Sequence, residues 1–339
     1  MPNLVRQSAG AIALLAGLGM IAGAWADHAS VGLGGGAGSP IYTESAITLP
    51  AGRWSASLRS EYNNFSRLSD RRLADTELHS VDTLLSTALG LSYGVTDDLT
   101  LGLRLPYIQR QNVREADHHV FDHGAGAHGH PDRILNLGDP EGLGDATLFG
   151  EYRFLRSADQ QTHLAALFGV KLPTGETHRK SGGERLETEF QPGSGSTDGL
   201  LGIAATHLSG ALSYDASLLY SVVTTGAQHT DIGDVLSYNL ATSYRLGGER
   251  PANPYDLTQP HAWDLILELN GEHRDRVQIH GQREENSGGN IVYLSPGVRY
   301  LNKTGWGLAL SLGVPVAENL NGTQAEPDYR VLSSLNVAF

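Results

Sequence analysis

The sequence predicts an all-β protein, a transmembrane antiparallel up-and-down β-barrel of about 12 strands that is preceded by a cleaved signal peptide. Three observations lead to this prediction. Apolar and polar residues alternate in runs of about 10–13 residues, the connections between these runs alternate between short and long, and a short apolar leader precedes the first run. No later stretch has about 18 consecutive apolar residues, so helices are not expected to cross the membrane.

The first residues read as a secretory leader. Arg6 supplies a positive charge, an apolar run follows over residues 9–24, and Ala24-Trp25-Ala26 is a small-x-small cleavage site. The expected domains are a signal peptide at 1–26, a Gly-rich periplasmic lead-in or small plug at 27–51, and an outer-membrane β-barrel at 52–339. The expected localisation is therefore the outer membrane of a Gram-negative cell.

The strands are predicted from alternation, because one face of a barrel strand meets lipid and the other meets the lumen. In residues 53–65, Trp54 and Leu58 share one face whereas Arg59 and Glu61 share the other. The same pattern predicts strands at 81–93, 99–107, 145–154, 163–172, 212–222, 236–245, 263–272, 306–314 and 329–339. Two weaker runs complete the twelve: residues 198–208 are apolar on both faces, and residues 290–300 contain Pro296, which cannot donate to a ladder.

The connections support a barrel over a soluble β-sandwich. A sandwich would have polar outward faces and strands nearer to 5–6 residues. Short turns are expected in the periplasm and long loops outside, and one periplasmic connection, 247–261, is unusually long. The short turns lie at 96–98, 156–161, 209–210 and 301–304, and the long polar connections lie at 66–80, 110–142, 174–197, 224–233, 275–289 and 317–327.

Composition excludes several classes of function. The chain has no cysteine, which excludes disulfides, thiol catalysis and cysteine metal sites. Its formal net charge of −13 disfavours nucleic acid as a partner, since a basic footprint is missing. No catalytic residue and no cofactor is predicted.

The inward faces carry acids and bases in equal number. In one interpretation these charges pair across the lumen and nearly close the barrel; in the other, separated acidic and basic walls leave a wet path for small polar or amphipathic solutes. The lumen-lining candidates are Arg53, Arg59, Glu61, Asp82, Arg104, Asp145, Glu151, Arg153, Lys171, Asp215, Arg245, Asp264, Glu268, Glu272, Arg299 and Arg330.

A histidine-rich loop at 117–132 is the sharpest local feature. Imidazoles and carboxylates bind Zn or Cu, and histidine also changes its charge between about pH 5 and 8, so metal contact and pH gating are both open. The alternative is a solvated loop tip of low complexity. The metal-ligand candidates are His118, His119, His123, His128, His130 and Asp122.

Four stretches resemble a known family. They are GLGGGAGSPIYTESAITLPAGRW at Gly32–Trp54, GLGDATLFGEYRF at Gly142–Phe154, FGVKLPTGET at Phe168–Thr177 and QPGSGSTDGLLGIA at Gln191–Ala204. Together they resemble the outer-membrane proteins of the MetA pathway of phenol degradation, which are labelled transporters. The resemblance implies a barrel fold and a transport role, with phenolic substrates suggested only by the family's name. It leaves the histidine-rich loop unexplained.

The expected function is therefore a channel or porin-like transporter for passive or gated passage of small solutes, including aromatic or hydrophobic ones, and not an enzyme. The alternatives are a metal-binding outer-membrane protein and an outer-membrane hydrolase, although Ser194 and Ser196 lie in a loop with no evident catalytic partner. The expected partners are outer-membrane lipid, small-molecule solutes, divalent metal ions, and the barrel assembly machinery through Phe339, because a terminal Phe resembles its signal.

Overall fold

A computed structural model describes residues 40–76, 78–116, 134–251 and 261–339, and in it twelve antiparallel strands form a closed barrel. Each strand pairs with its neighbours in chain order, and the last strand pairs back with the first. The strands are β1 Trp54–Phe65, β2 Thr83–Thr96, β3 Leu99–Gln111, β4 Ala146–Arg156, β5 Thr162–Leu172, β6 Asp198–Ser209, β7 Leu212–Val222, β8 Val235–Leu246, β9 Ala262–Arg274, β10 Gly289–Leu301, β11 Trp306–Leu320 and β12 Pro327–Ala338.

The outer surface of the barrel is a belt of exposed apolar side chains. Leu58 of β1 is 41% exposed, and its cross-strand partners on the same face are Leu89 and Leu335. On the inward face Arg59 is buried. Because exposed Leu, Val and aromatic side chains continue around all twelve strands, this surface suits hydrocarbon, and the predicted transmembrane barrel is confirmed.

The two weak runs of the sequence both form strands. Residues 198–208 lie in β6, and Pro296 lies within β10. The ladder between β10 and β11 passes from Leu294 opposite Val314 directly to Gly297 opposite Ser311, because proline has no N–H to donate. The strand β11 continues to Leu320, so the last long connection is shorter than predicted.

The chain's end closes the barrel. Phe339 exchanges two backbone hydrogen bonds of 2.9 Å with Trp54, which extends the pairing of β12 with β1 by one residue. Short turns join the strands at this end, so it is the periplasmic end, and the long connections gather at the opposite, extracellular end.

The long connections are not simply polar, as the sequence had suggested. Phe65, Leu73, Val81, Val113 and Phe190 are buried together in an apolar cluster at the extracellular end. This cluster belongs to an extracellular cap, which is built by the helix α1 (Asp70–Thr76) and a small sheet of His79–Ser80, Val113–Ala116 and Ile134–Gly138. The other short strands are Glu141–Leu143, Lys180–Ser181, Glu184–Arg185, Thr230–Asp231, Gln278–Ile279 and Gln282–Arg283. Two 3-10 helices lie at Thr188–Phe190 and Ala227–His229. No helix in the described part of the chain is long and apolar enough to span a bilayer.

Candidate functional site

Residues 40–49 pass through the barrel interior and are buried; we call this segment the arch. Its main anchor is Glu268 on β9, which is fully buried. The Glu268 carboxylate accepts hydrogen bonds from the backbone N–H groups of Ile41, Tyr42 and Thr43 at 2.9–3.3 Å. A buried carboxylate needs such donors, since leaving it unpaired is costly. Glu268 therefore finds the donors that its buried carboxylate needs, and the backbone N–H groups of the arch find an acceptor.

Aromatic and cationic side chains hold the same part of the arch. The guanidinium of Arg330 lies 4.1 Å from the ring centre of Tyr42 and 4.0 Å from that of Tyr293. Arg59 lies 5.3 Å from the Tyr42 ring and donates to the carbonyl of Ile41 at 3.1 Å. These cation–π contacts fix Tyr42 near the middle of the lumen.

The arch also explains why β6 is apolar on both faces. Ala46 packs in one buried cluster with Leu200 and Ala204, and Leu208 packs in another with Leu49. These β6 side chains face inward, yet they meet protein rather than water. The alternation of apolar and polar residues is lost along β6 because both faces of the strand are in apolar surroundings.

The connection 173–197, between β5 and β6, folds back into the lumen, and Asp145 anchors it. The Asp145 carboxylate accepts hydrogen bonds from the backbone N–H of Gly175 (2.8 Å), the backbone N–H of Ser194 (2.8 Å) and the Ser194 hydroxyl (2.7 Å). Three of the four family-like stretches, at 142–154, 168–177 and 191–204, thus meet at one carboxylate.

Gly175 and Gly193 allow the backbones of two of these stretches to pack closely. A Cβ on Gly175 would lie 2.7 Å from the Cα of Gly193, and a Cβ on Gly193 would lie equally close to the backbone of Gly175. Real side chains do not tolerate such contacts. The glycines of the two motifs therefore serve backbone packing.

Ser194, which had no evident partner in the sequence, contacts Lys171, Asp145 and Ser196 through its hydroxyl. The Lys171 ammonium donates to the Ser194 hydroxyl at 2.5 Å and to Ser196 at 3.1 Å, and it forms ion pairs with Asp145 and Asp198. The ammonium is therefore tied to two hydroxyls and two carboxylates at once. The cluster positions the loop.

The connection 173–197, which we call the folded-in loop, borders a cavity of about 140 Å³ in the extracellular half of the lumen. Its apolar lining comes from Pro106, Ile108, Pro192, Leu200, Val223, Ile232 and Val235. Its charged lining consists of four basic and two acidic residues, namely Arg104, Arg110, Lys171, Arg274, Asp145 and Asp198, and uncharged polar residues and a glycine complete it. A lining that combines apolar walls with surplus positive charge favours amphipathic anions.

The arginines of this cavity differ in how well they are compensated. Within the described residues, no hydrogen bond or ion pair reaches the Arg104 guanidinium. Arg274 donates to Glu272 at 3.1 Å, but its buried Nε has no acceptor. Arg110 donates to the carbonyl of Gln191 at 3.3 Å. Donor capacity therefore remains at Arg104 and at the Nε of Arg274.

A second charged cluster lies near the periplasmic end. Asp264 is fully buried and pairs with Arg299 at 2.7 Å, Arg245 at 3.1 Å and Arg250 at 3.2 Å. Burial lowers the pKa of Arg250, in the periplasmic connection, to about 10, against the opposing effect of Asp264. Arg299 also donates to the carbonyl of Pro40, so this cluster holds the start of the described arch.

The predicted lumen residues fall into distinct places. Arg53 precedes β1, and Asp82 lies at the extracellular rim, where it accepts a hydrogen bond from Asn112. Arg153 is buried but pairs with Asp98 in a periplasmic turn. Glu151 is half-buried on the inward face. Inward and buried on their strands are Arg59, Glu61, Asp215, Arg245, Asp264, Glu268, Glu272, Arg299 and Arg330.

The proposed histidine ligands at 118–130 lie outside the described residues. A different cluster, which the sequence analysis missed, contains His79, Glu187 and Glu189, whose ligand atoms all lie within 4.8 Å of one another. The His79 ring pairs with Glu115 at 3.2 Å. Burial acts to lower the pKa of His79, but the hydrogen bond with Glu115 and the charges of Glu187 and Glu189 outweigh it and raise this pKa to about 9.

The hydrogen bond to Glu115 and the raised pKa of His79 favour an ion-paired cluster over a metal site. A metal would have to displace the proton that these carboxylates stabilise on the ring. We therefore interpret His79 as the cationic centre of an ion-paired cluster in the extracellular cap.

The sequence matches the family described as "Putative MetA-pathway of phenol degradation" over residues 123–320, more than half of the chain. The chain belongs to this family. Together with the barrel and its apolar belt, this family places the protein in the outer membrane. No curated protein sequence matches the chain.

Several solved structures are similar in fold. The COG4313 outer membrane channel from Pseudomonas putida F1 shares 16% identity over 87% of this chain and 98% of its own, with a TM-score of 0.58. The toluene transporter TbuX from Ralstonia pickettii shares 12% identity over 86% and 91% of the two chains, with a TM-score of 0.40. LpxR from Salmonella typhimurium shares 12% over 83% and 99%, with a TM-score of 0.39. The first likeness extends to the fold, and the other two are too distant to inform on function.

Proposed function

We propose that the protein is an outer-membrane channel through which small solutes pass, including aromatic or hydrophobic ones, and that it is not an enzyme. The carrying observation is the lumen itself, which contains a cavity lined by apolar and charged side chains and, separately, the arch, a single segment held by hydrogen bonds, cation–π contacts and apolar packing. Family membership and a fold shared with an outer membrane channel support this proposal. The Lys171 ammonium that contacts Ser194 and Ser196 beside the cavity also pairs with two carboxylates, which disfavours nucleophilic chemistry there.

We further propose that residues 27–51 act as a small plug, whose described part, residues 40–51, includes the arch. Glu268 accepts three backbone N–H groups of the arch, and bonds to a buried charged acceptor contribute roughly 1.5–3 kcal/mol each. Movement of the arch away from β9 would widen the lumen. Glu268 is thus the residue whose loss should open the channel.

Planar-bilayer recordings test both proposals. Wild-type protein should give small conductance steps, and Glu268→Gln should give larger or more frequent openings because an amide cannot accept all three N–H groups. Glu249→Gln removes the same charge from an exposed periplasmic site and should behave like wild type. Protein that inserts but never conducts, and that does not speed solute entry into liposomes, would overturn the channel; a Glu268→Gln variant that conducts like wild type would overturn the plug.

A further inference from the structure

We infer that the lumenal cavity is a binding site for a small aromatic carboxylate, an amphipathic organic anion of about the size of benzoate. This inference rests on the proposed channel function and specifies the class of solute that the channel accepts. Three properties of the cavity lead to it: its size, its apolar lining and a surplus of basic over acidic side chains.

The size fits one aromatic ring. The cavity has a volume of about 140 Å³. An apolar protein cavity of about 150 Å³ is sufficient to hold a benzene ring. Here Ile108, Leu200, Val223 and Val235 supply apolar walls, and Pro106 and Pro192 close two sides.

The charge selects an anion. Lys171 forms ion pairs with both Asp145 and Asp198, so one net negative charge remains against the three arginines of the lining. The Arg104 guanidinium has no hydrogen-bonded or ion-paired partner within the described residues, although Glu61 and Glu44 attract it and Arg59 repels it through space. The buried Nε of Arg274 also lacks an acceptor. A carboxylate is the group that matches a planar guanidinium, and it would supply the missing acceptor oxygens.

Charged and apolar side chains alternate around the cavity. Arg104 shares β3 with Pro106 and Ile108, and Arg274 of β9 lies opposite Val235 of β8. A small anion that carries an aromatic ring can therefore contact both kinds of side chain. Acetate lacks the ring and benzamide lacks the charge. Acetate should therefore contact only the basic side chains, and benzamide should lose the charged contact.

Saturation-transfer NMR on the full-length protein in detergent tests binding directly. Benzoate should bind, and benzamide and acetate should each bind about tenfold more weakly, because each loses one kind of contact. Arg104→Gln should weaken the binding of benzoate by about tenfold and leave the affinity for benzamide unchanged. Val223→Thr, which keeps the side-chain volume, should weaken the binding of benzoate and leave the affinity for acetate unchanged. Lys180→Gln removes the same charge from an exposed site on the folded-in loop and should bind as wild type does.

Bilayer currents separate this inference from the proposed function. If benzoate blocks the wild-type current and Arg104→Gln relieves the block, both the channel function and the binding site are supported. A protein that conducts but binds benzoate no better than benzamide would overturn the inference and leave the channel intact. A protein that binds benzoate selectively but never conducts would overturn the channel and leave the binding site. Equal binding of benzoate and acetate would show a plain anion site, which also overturns the inference.

Discussion

At the scale of single residues, buried carboxylates organise the lumen. Asp145, Glu268 and Asp264 each collect several donors from segments far apart in sequence. A buried charge is tolerated only where donors surround it. The lumen is therefore arranged around a few acidic residues that each tie one inner segment to the wall.

Replacing Asp145 should release the folded-in loop. Asp145→Asn leaves one acceptor oxygen where three hydrogen bonds now end, and its amide N–H₂ would face the donors of Ser194. We expect a loss on the order of 2–3 kcal/mol in the local stability of the loop. Hydrogen exchange at the amides of Gly175 and Ser194 measures it. Asp328→Asn, at the start of β12, is the control, and unchanged protection in Asp145→Asn would contradict the role assigned to this carboxylate.

The His79 cluster should make the extracellular cap sensitive to alkaline pH. The folded-state pKa of about 9 lies above the ordinary 6.5, so the imidazolium contributes stability that is fully present below about pH 6.5 and is lost as the pH rises through about 9. An NMR titration of the His79 ring should show a midpoint near 9.

Glu115→Gln should lower that midpoint, since Glu115 is the hydrogen-bonded partner of the ring. Glu249→Gln, at the opposite end of the barrel, should leave it in place. A midpoint near 6.5 in the unmodified protein would show that the carboxylates do not stabilise the imidazolium.

At the scale of elements, the arch is the segment that we propose moves. It is held by backbone hydrogen bonds to side chains of the wall, by cation–π contacts and by apolar packing, and it is not part of the continuous sheet. Elements attached in this way can separate without breaking the barrel. This property distinguishes the arch from the strands around it.

A disulfide should lock the arch. The hydroxyls of Ser45 and Thr206 lie 3.2 Å apart, and the chain has no other cysteine to compete. With Ser45→Cys and Thr206→Cys added to Glu268→Gln, oxidised protein should conduct as wild type does, and a reductant should restore the larger openings. Single cysteine variants are the controls. Large openings in the fully oxidised protein would mean that the arch does not restrict the path.

At the scale of the whole molecule, the outer belt decides where the protein resides. Leu89, on β2, is 61% exposed at mid-strand, whereas Val95 lies close to a periplasmic turn. Leu89→Arg should destabilise the barrel in lipid by about 2–4 kcal/mol, and Val95→Arg by no more than about 1 kcal/mol, because an arginine near the interface reaches water. Denaturant unfolding from lipid vesicles measures both. Equal costs at the two positions would contradict a bilayer around this belt.

Much of this fold follows from local sequence. Alternation along Trp54–Phe65 and its counterparts fixed twelve strands, because a wall between lipid and lumen imposes a period of two on every strand. The same alternation placed Glu268 and Arg330 on the inward face. It failed at β6, where the inner face is apolar because it meets Ala46 and Leu49 of the arch.

By itself, the sequence determined which segments are strands and which side chains face inward, since both depend on residues adjacent along one strand. Only the tertiary structure decided that Asp145, Gly175 and Ser194 meet, that residues 40–49 bond to Glu268, and that Arg104 borders a cavity. Those contacts join residues distant in the chain. They depend on barrel closure and on how two inner segments fill the space, which no local periodicity encodes.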